Sequence, residues 1–429
     1  MEISEVLFLE NSVDYEKDIA VLIGVDTETE DNDAEKSLDE LERLAETAGI
    51  ETVLRLVQKR KSPSASTYIG RGKAEELAEM CRENGVNIVI ADDELKGSQI
   101  RELEDIFDMR VIDRTTLILD IFASRAVSLE GRLQVELAQL SYRLPRLAGM
   151  GKSLSRLGGG IGTRGPGETK LETDRRHIMR RILSIRRHLD EISARRELSR
   201  KKRAKSGAVS VALVGYTNAG KSSLMNALCE NADVYVQNQL FATLDPTIRK
   251  LKTDSGDILL VDTVGFIHKL PHTLINAFHS TLEESLKASL LLLVADVSED
   301  EVQDRLEVVS KLLYDLGASG IPSVLVLNKC DIAGDITEKT AVLSYHYGIP
   351  VVAVSAVTGE GLDGLKRIIE EMVFASYVYE MVIPYSEGKA LSRIYSVCEV
   401  ISSLHTEKGT YIKARMGSDH IAEFKRFFI

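Results

Sequence analysis

The chain has 429 residues, too many for a single hydrophobic core, and its length predicts roughly two to four domains. Its 44% hydrophobic and 28% charged residues are ordinary for a water-soluble globular protein. The formal net charge of −12, from 54 basic and 66 acidic residues, argues against nucleic-acid binding by the whole surface, although an average can conceal a basic patch.

The sequence lacks the usual features of secretion and membrane insertion. The opening residues, MEISEVLFLEN, have no basic start, and no apolar run approaches the roughly 20 residues that a membrane-spanning helix needs. We therefore expect a cytoplasmic protein without an integral membrane segment, for which peripheral membrane association stays open. Cys81, Cys229, Cys330 and Cys398 have no paired spacing, which predicts reduced thiols rather than a zinc site or a disulfide framework.

Residues 1–125 alternate short apolar runs with amphipathic stretches. Strands are predicted at 19–26, 52–60, 86–93 and 109–114, and helices at 37–49, 73–85 and 98–107. Strands that alternate with helices predict an open α/β domain.

Residues 126–205 have a different pattern, typical of a long antiparallel helical hairpin. The first helix carries leucines at spacings of three and four, which predicts one apolar stripe made of Leu129, Leu133, Leu137, Leu140 and Leu144. Segment 149–167 contains eight glycines in nineteen residues and is predicted to form a flexible tip. A second helix is predicted from about 168 to 205.

The tip and the second helix contain a basic patch. Residues 175–205 include thirteen Lys or Arg and three acids, a local charge of +10. A glycine-rich basic loop beside a basic helix can follow a phosphate backbone, and the lack of aromatic residues from 143 to 205 favours structured RNA over stacked single strands. A solvated helix face with a basic linker is the alternative interpretation. The candidate RNA contacts are Lys152, Arg156, Arg164, Arg175, Arg176, Arg180 and Arg181.

Residues 206–374 begin with a phosphate-binding loop. The segment VSVALVGYTNAGKSS places Gly215 and Gly220 in the pattern GxxxxGKS, directly after an apolar strand. Loop amides and the N-terminus of the following helix suit phosphate oxygens. Lys221 is expected to reach the β- and γ-phosphates, and Ser222 is expected to ligate Mg²⁺.

Three later segments indicate that the nucleotide is a guanine nucleotide. ILLVDTVGF contains DxxG, VLVLNKCD contains NKxD, and VVAVSAVTGEG contains a Ser-Ala pair. Asp331 can accept two hydrogen bonds from guanine N1 and its exocyclic amine, which adenine cannot supply. The sequence therefore predicts GTP and GDP as ligands, bound by Gly215, Tyr216, Thr217, Asn218, Ala219, Gly220, Lys221, Ser222, Ser223, Phe241, Ala242, Thr243, Asp262, Thr263, Val264, Gly265, Asn328, Lys329, Asp331, Ser355, Ala356 and Val357.

The metal site and the catalytic group are less fully specified. Mg²⁺ is expected to be held by Ser222 and a switch threonine, for which Thr243 is preferred to Thr247, with Asp262 in its outer shell. Phe266 stands where Ras-like proteins carry a water-orienting glutamine, so the catalytic residue is unknown and slow hydrolysis by the isolated protein is expected. Asn218 suggests K⁺ as a second cation, and a loop-stabilising amide is the alternative.

Two segments are predicted to carry no chemistry. His268, His272 and His279 are expected to be switch-surface residues rather than metal ligands. Residues 375–429 are predicted to form a small α+β domain, with strands at 377–383 and 409–414 and helices at 388–401 and 419–427.

Nearly the whole chain resembles the HflX family of Obg-like translation-factor GTPases. The resemblance is carried by TYIGRGKAEEL, RLQVELAQLSYRLPRL, GGGIGTRGPGETKLETDRR, QLFATLDPT and GFIHKLPHTLINAFHSTLEE. It implies a mostly parallel P-loop GTPase sheet with flanking helices, binding to the large ribosomal subunit, and splitting or rescue of ribosomes under stress. Some family members are credited with ATP use by the N-terminal domain, whereas GRGKAEE lacks the spacing of a phosphate-binding loop.

Two classes of function remain open at this stage. The first is a monomeric, ribosome-stimulated GTPase whose basic hairpin meets ribosomal RNA. The second is a regulatory GTPase with a protein partner, acting at a membrane surface or elsewhere. An RNA-remodelling ATPase is disfavoured because Asp331 selects guanine.

Overall fold

The computed structural model describes residues 18–27, 33–147, 170–205, 209–229, 241, 247–254, 256–269, 287–318, 320–375, 378–416, 420 and 423–429. The chain divides into two compact units, one containing Met1–Arg187 and Lys269–Ala277 and the other containing His188–His268 and Phe278–Ile429. The predicted glycine-rich tip, with Lys152, Arg156 and Arg164, lies outside the described residues.

A four-stranded parallel sheet forms the centre of the first unit, in the order β2-β1-β3-β4. Its strands are β1 (Ile19–Asp26), β2 (Glu51–Lys59), β3 (Ile88–Ala91) and β4 (Arg110–Asp113). β1 and β3 are almost entirely buried, which is expected of parallel strands covered on both faces.

Four helices accompany this sheet: α1 (Ala34–Thr47), α2 (Arg71–Glu83), α3 (Gly97–Phe107) and α4 (Arg114–Arg125). α1 begins three residues before the predicted Ser37 because Asp33 caps it by accepting a hydrogen bond from the Lys36 amide. α2 and α3 start within about two residues of prediction, whereas α4 was not predicted. The predicted open α/β arrangement of this unit is confirmed.

The hairpin region contains α5 (Leu129–Leu147) and α6 (Lys170–Lys205). The predicted leucine stripe is not the buried face of α5, since Leu129 is 69% exposed and the other four leucines are only half-buried. The buried positions are Gly131, Gln134, Val135, Ala138 and Tyr142.

Polar contacts determine which face of α5 is buried. The Tyr142 hydroxyl donates to Asp113 Oδ2 at 2.5 Å, and Arg146 Nη2 donates to the same oxygen at 2.6 Å and to the Leu95 carbonyl. These hydrogen bonds connect α5 to the end of β4. They are made by polar groups, whose contacts cannot be predicted from a pattern of hydrophobic residues. α6 contributes Ile185, which is fully buried, and Arg181, which pairs with Glu136 of α5 at 2.6 Å.

A buried ion cluster lies at the carboxyl edge of the first sheet. Arg114 is 2% exposed, and its guanidinium donates to Asp92 at 2.6 Å and to Glu40 at 2.9 Å. Burial alone would raise the pKa of Asp92, but the positive charges of Arg114 and Lys269 outweigh it and lower the pKa to about 2. Asp92 is therefore an anion at every physiological pH.

A six-stranded sheet forms the centre of the second unit, in the order β10-β9-β8-β5-β7-β6. Its strands are β5 (Val209–Gly215), β6 (Thr247–Thr253), β7 (Gly256–Asp262), β8 (Leu290–Asp296), β9 (Ser323–Asn328) and β10 (Val351–Ala353). Every pairing is parallel except that of β6 with β7. Its helices are α7 (Lys221–Leu228), α8 (Val302–Asp315), α9 (Thr337–Tyr347) and α10 (Leu362–Ala375).

The C-terminal part of the second unit is a three-stranded antiparallel sheet in the order β11-β13-β12, with one α-helix among its described residues. Its elements are β11 (Val378–Ile383), α11 (Gly388–Val397), β12 (Glu399–Thr406) and β13 (Gly409–Arg415). The helix predicted to reach Ile401 ends at Val397, because residues 399–406 form a hairpin with β13 instead. A short 3₁₀ turn, Lys425–Phe427, lies in the segment predicted to be the last helix.

The predicted fold class of an α/β protein with a mostly parallel P-loop sheet and a small C-terminal α+β part is confirmed. Within the described ranges, no helix is both long enough and apolar enough to cross a bilayer. All four cysteines are free thiols.

We predict that Arg114→Met lowers the free energy of unfolding of the first unit by about 3–5 kcal/mol, because it leaves Asp92 and Glu40 as buried charges without their main partner. Hydrogen exchange of the β3 and β4 amides in the full chain measures this. Arg55→Met is the control: Arg55 pairs with three carboxylates but is 31% exposed, so a loss below about 1 kcal/mol is expected. Equal losses for the two variants would contradict this interpretation of the cluster.

Candidate nucleotide-binding site

The parallel strands of the second sheet bring four loops to one edge. Leu213 of β5 lies opposite Asp262 of β7, and Gly215 lies opposite Val294 of β8. Further along the sheet, Asp296 of β8 lies opposite Asn328 of β9. The loops that follow β5, β7, β9 and β10 therefore share the carboxyl edge, where open α/β sheets bind ligands.

The loop after β5 has the backbone that its glycines allow. Gly220 has φ +84°, and a Cβ atom there would lie 2.2 Å from Asn328 Nδ2, so only glycine fits. Asn218 has φ +60°, a conformation that asparagine tolerates better than most residues, and its side chain is exposed. This backbone gives Asn218 a structural role whether or not its amide also meets a cation.

Lys221 begins α7 and is buried beneath the loop. Its Nζ donates to the carbonyls of Tyr216 at 2.7 Å and Gly215 at 3.0 Å. Burial lowers the pKa of Lys221 to about 8, opposed by the charge of Asp262. The ammonium thus lies inside the loop that the sequence predicts to surround phosphates.

Ser222 and Asp262 meet beside Lys221. The Ser222 hydroxyl donates to Asp262 Oδ2 at 2.6 Å, and Asp262 is fully buried at the end of β7. A hydroxyl and a carboxylate are oxygen donors of the kind that Mg²⁺ prefers. In the part of the chain that the structure describes, no cluster of three or more His, Cys, Asp or Glu offers another metal site.

The segment after β7 is hydrogen-bonded to the phosphate-binding loop. The Phe266 amide donates to the Gly215 carbonyl at 3.1 Å, and the Thr217 amide donates to the Phe266 carbonyl at 2.8 Å. The Phe266 side chain is 2% exposed. Phe266 therefore acts in this site through its backbone, and its ring is not placed to orient water.

Asn328 joins three of the loops from a buried position. Its Nδ2 donates to the Ala219 carbonyl at 2.9 Å, and its Oδ1 accepts from the Ala356 amide at 3.1 Å. Ser355 is fully buried, and its Oγ accepts from the amides of Val357 and Thr358 at 3.3 and 3.0 Å. Asp331 is exposed beside these loops, where its carboxylate is accessible to a base.

Most of the predicted nucleotide contacts therefore gather at one edge, and a few do not have a described position. Ala242, Thr243, His272 and His279 lie outside the described residues. Phe241 is buried with φ +57°. Thr247 begins β6 opposite Asp262, while the preference for Thr243 as the Mg²⁺ ligand stays a prediction.

Two residues of this edge were missed from the sequence. Asp296 pairs with Lys329 Nζ at 2.5 Å and accepts from the Ser298 hydroxyl at 2.5 Å, so it fixes the NKxD loop. Arg305 stacks over the Tyr216 ring at 5.0 Å from the ring centroid. The position of Asp296 at the end of the apolar run Leu290–Ala295 was the available signal, because such ends line the binding edge.

Comparison with known proteins gives consistent matches along the chain. Residues 35–123 match the family described as GTP-binding GTPase N-terminal, residues 125–203 match GTP-binding GTPase Middle Region, and residues 210–329 match 50S ribosome-binding GTPase. GTPase HflX of Caldanaerobacter subterraneus subsp. tengcongensis is 47% identical over 416 residues, covering 96% of this chain and 94% of that protein. GTPase HflX of Escherichia coli is 43% identical, covering 89% of each chain. A GTP-binding protein of Sulfolobus solfataricus in complex with GDP is 25% identical, with a TM-score of 0.46, covering 83% of this chain and 98% of that one.

We predict that Asp331→Asn weakens GTP and GDP binding by roughly 10²–10⁴-fold, because it removes two hydrogen bonds from guanine to a carboxylate, each worth about 1.5–3 kcal/mol. Xanthosine nucleotides should bind the variant better than guanosine nucleotides. Titration with fluorescent GDP and XDP analogues measures both effects. Asp335→Asn is the matched control, since Asp335 is exposed in the same loop and accepts from the Thr337 amide at 2.9 Å. A retained preference for GDP in Asp331→Asn would show that Asp331 does not hydrogen-bond to the guanine base.

Proposed function

The chain belongs to the HflX family of GTPases, and on that premise we propose that it binds the large ribosomal subunit and couples GTP hydrolysis to its release. It is a GTPase that binds guanine nucleotides and hydrolyses GTP to GDP and phosphate. The description of the domain matched at residues 210–329 supports the large subunit as partner. Splitting or rescue of ribosomes under stress is the outcome that the family resemblance suggests for this binding.

The observation that carries the ribosome proposal is the charge of α6. Arg175, Arg176 and Arg180 are exposed on its first turns, and Arg186 and Arg187 follow as exposed residues. Both Nε and Nη2 of Arg181 donate to the Glu136 carboxylate, at 2.6 and 2.7 Å. We therefore assign RNA contact to Arg175, Arg176 and Arg180, and to Arg181 the contact between α5 and α6.

The nucleotide chemistry is proposed to use the groups gathered at the second sheet. Lys221 would turn from its two loop carbonyls to the β- and γ-phosphates, and Asp331 would accept from guanine. Ser222 and Asp262 would hold Mg²⁺, which neutralises phosphate charge when bound. Phe266 supplies no hydrogen bond to water from its side chain, so we propose that the ribosome, or K⁺ beside Asn218, completes the site.

An alternative partner is a protein, in the cytoplasm or at a membrane surface. α6 also exposes apolar side chains, with Leu183 at 57% and Leu198 at 62% exposure. A partner held by these residues would bind with little dependence on salt, whereas phosphate contacts make affinity fall steeply with salt. We propose that the protein acts in the cytoplasm as a monomer on ribosomal RNA.

We predict that replacing Arg175, Arg176 and Arg180 together by alanine weakens binding to purified large subunits by more than about tenfold at 0.1 M salt. The slope of log affinity against log salt should fall by roughly two to three, because each arginine that meets a phosphate contributes about one to that slope. Co-sedimentation with large subunits over a salt series measures both quantities. Arg181 is left unchanged so that its ion pair with Glu136 is preserved.

The matched control replaces three exposed basic residues of the first unit, Lys61, Arg71 and Arg82, and therefore makes the same change in net charge. Its binding and salt slope should equal those of the unmodified protein. If the α6 variant also keeps its affinity and slope, α6 is not the RNA contact. If Leu183→Ser and Leu198→Ser abolish association instead, the protein-partner alternative is favoured.

A further inference from the structure

Tyr216 directly follows Gly215 in the phosphate-binding loop, and its side chain contacts the segment that follows β7. Its hydroxyl accepts a hydrogen bond from the His268 amide at 2.7 Å. Its backbone pairs with Phe266, and its carbonyl accepts from Lys221 Nζ at 2.7 Å. These residues all belong to the second unit. Tyr216 therefore contacts the phosphate-binding lysine through its backbone and the segment after the DxxG pattern through its side chain.

Hydrogen bonds of two kinds hold this segment against the loop. The first kind joins main-chain groups: the Phe266 amide donates to the Gly215 carbonyl, and the Thr217 amide donates to the Phe266 carbonyl. The second kind is the bond from the His268 amide to the Tyr216 hydroxyl, which a side chain makes. A phenylalanine at position 216 would keep the main-chain bonds and lose the bond to the hydroxyl. The hydroxyl is thus the part of this attachment that depends on residue type.

The Tyr216 ring is held from α8. The ring is 7% exposed, and the Arg305 guanidinium lies over it with Cζ 5.0 Å from the ring centroid, within the range of cation–π attraction. Arg305 also forms an ion pair with Glu299. The guanidinium is therefore held by a carboxylate on one side while it contacts the aromatic ring on the other.

A small apolar cavity lies beside the same ring, lined by side chains that include Val294, Leu306 and Val309. Its volume of about 10 Å³ is at the lower limit for a single water molecule. Close packing is thus incomplete on this side of the ring. The position of the Tyr216 side chain depends correspondingly more on its contacts with the His268 amide and with α8.

The position of the segment bears on hydrolysis through its main chain. Phe266 is buried and offers no side-chain hydrogen bond to water, and Gly265 has no side chain. A Cβ atom on Gly265 would lie 3.1 Å from Lys221 Nζ, so the main chain lies directly beside the lysine that contacts the γ-phosphate in P-loop GTPases. A displacement of about 1 Å in such a site can slow the reaction by roughly 100-fold.

We propose that Tyr216 is a positioning residue for GTP hydrolysis. Its hydroxyl holds the His268 amide and thereby keeps the main chain of Gly265 and Phe266 where it meets the γ-phosphate. The hydroxyl itself touches neither nucleotide nor water in this role. The proposal rests on the GTPase activity of the chain and does not depend on the ribosome being its partner.

The test compares Tyr216→Phe with the unmodified full-length chain, without ribosomes. Single-turnover GTP hydrolysis is measured with protein in excess over nucleotide, and the dissociation constant of GDP is measured by titration with a fluorescent analogue. The hydrolysis rate should fall by about fivefold or more, the factor that corresponds to the loss of one hydrogen bond. GDP affinity should change by less than about twofold, because the segment responds to the γ-phosphate, which GDP lacks.

Tyr314→Phe is the matched control, since Tyr314 lies on α8 and is 72% exposed. It loses the same hydroxyl oxygen from the same unit and should change neither quantity. An unchanged hydrolysis rate in folded Tyr216→Phe would overturn the proposal. Equal losses of hydrolysis rate and GDP affinity would overturn it as well, because Tyr216 would then only shape the phosphate-binding loop.

Arg305→Met tests the contribution of α8. It removes the cation from the Tyr216 ring, while Glu299 stays partly hydrated because its side chain is 25% exposed. A smaller fall in hydrolysis rate is expected, again with GDP affinity retained. The double variant Tyr216→Phe/Arg305→Met should hydrolyse GTP no more slowly than Tyr216→Phe, because both changes act through one hydroxyl. Fully additive losses would contradict this action of Arg305 through Tyr216.

Discussion

The parallel pairing of β5 with β7 and β8 is the constraint on which the nucleotide site depends. It places the phosphate-binding loop, Asp262 and Asp296 at one edge, although they are distant in the sequence. Backbone hydrogen bonds of Phe266 with Gly215 and with Thr217 extend this pairing beyond the end of β7. Phe266, which directly follows the glycine expected to sense a γ-phosphate, is thereby hydrogen-bonded to the loop that would hold that phosphate. Whatever changes this short pairing changes the nucleotide site.

This constraint explains why so few side chains of the segment after β7 carry chemistry. Phe266 and Ile267 are buried and Gly265 has no side chain, so the segment acts through its backbone and its position. Its position is set by the backbone hydrogen bonds between Phe266 and the phosphate-binding loop. Phe266 itself offers no side-chain hydrogen bond to water, and the proposed ribosomal partner would supply the group that orients it.

The sequence predicted the parts of the structure that depend on local pattern. Apolar periodicity located the four strands of the first sheet and three of the four helices that accompany it, and four motifs located the nucleotide edge of the second. The sequence did not predict the features that depend on long-range polar contacts. Tyr142 and Arg146 hydrogen-bond to Asp113 and thereby turn α5, so that the leucines are not its buried face. β12 was missed because the helical pattern of α11 continues into a segment whose partner strand begins only at Gly409. The pair of Lys269 with Asp92 joins residues 177 positions apart, and no local signal reports it.

The most direct test of the account is GTP turnover by the full-length protein in potassium buffer, with and without purified large ribosomal subunits. The account predicts slow turnover alone and stimulation of roughly tenfold or more by the subunits, because Phe266 stands where Ras-like proteins carry a water-orienting glutamine. Normal GTP binding with no stimulation would contradict the account, and would direct attention to a protein as the activating partner.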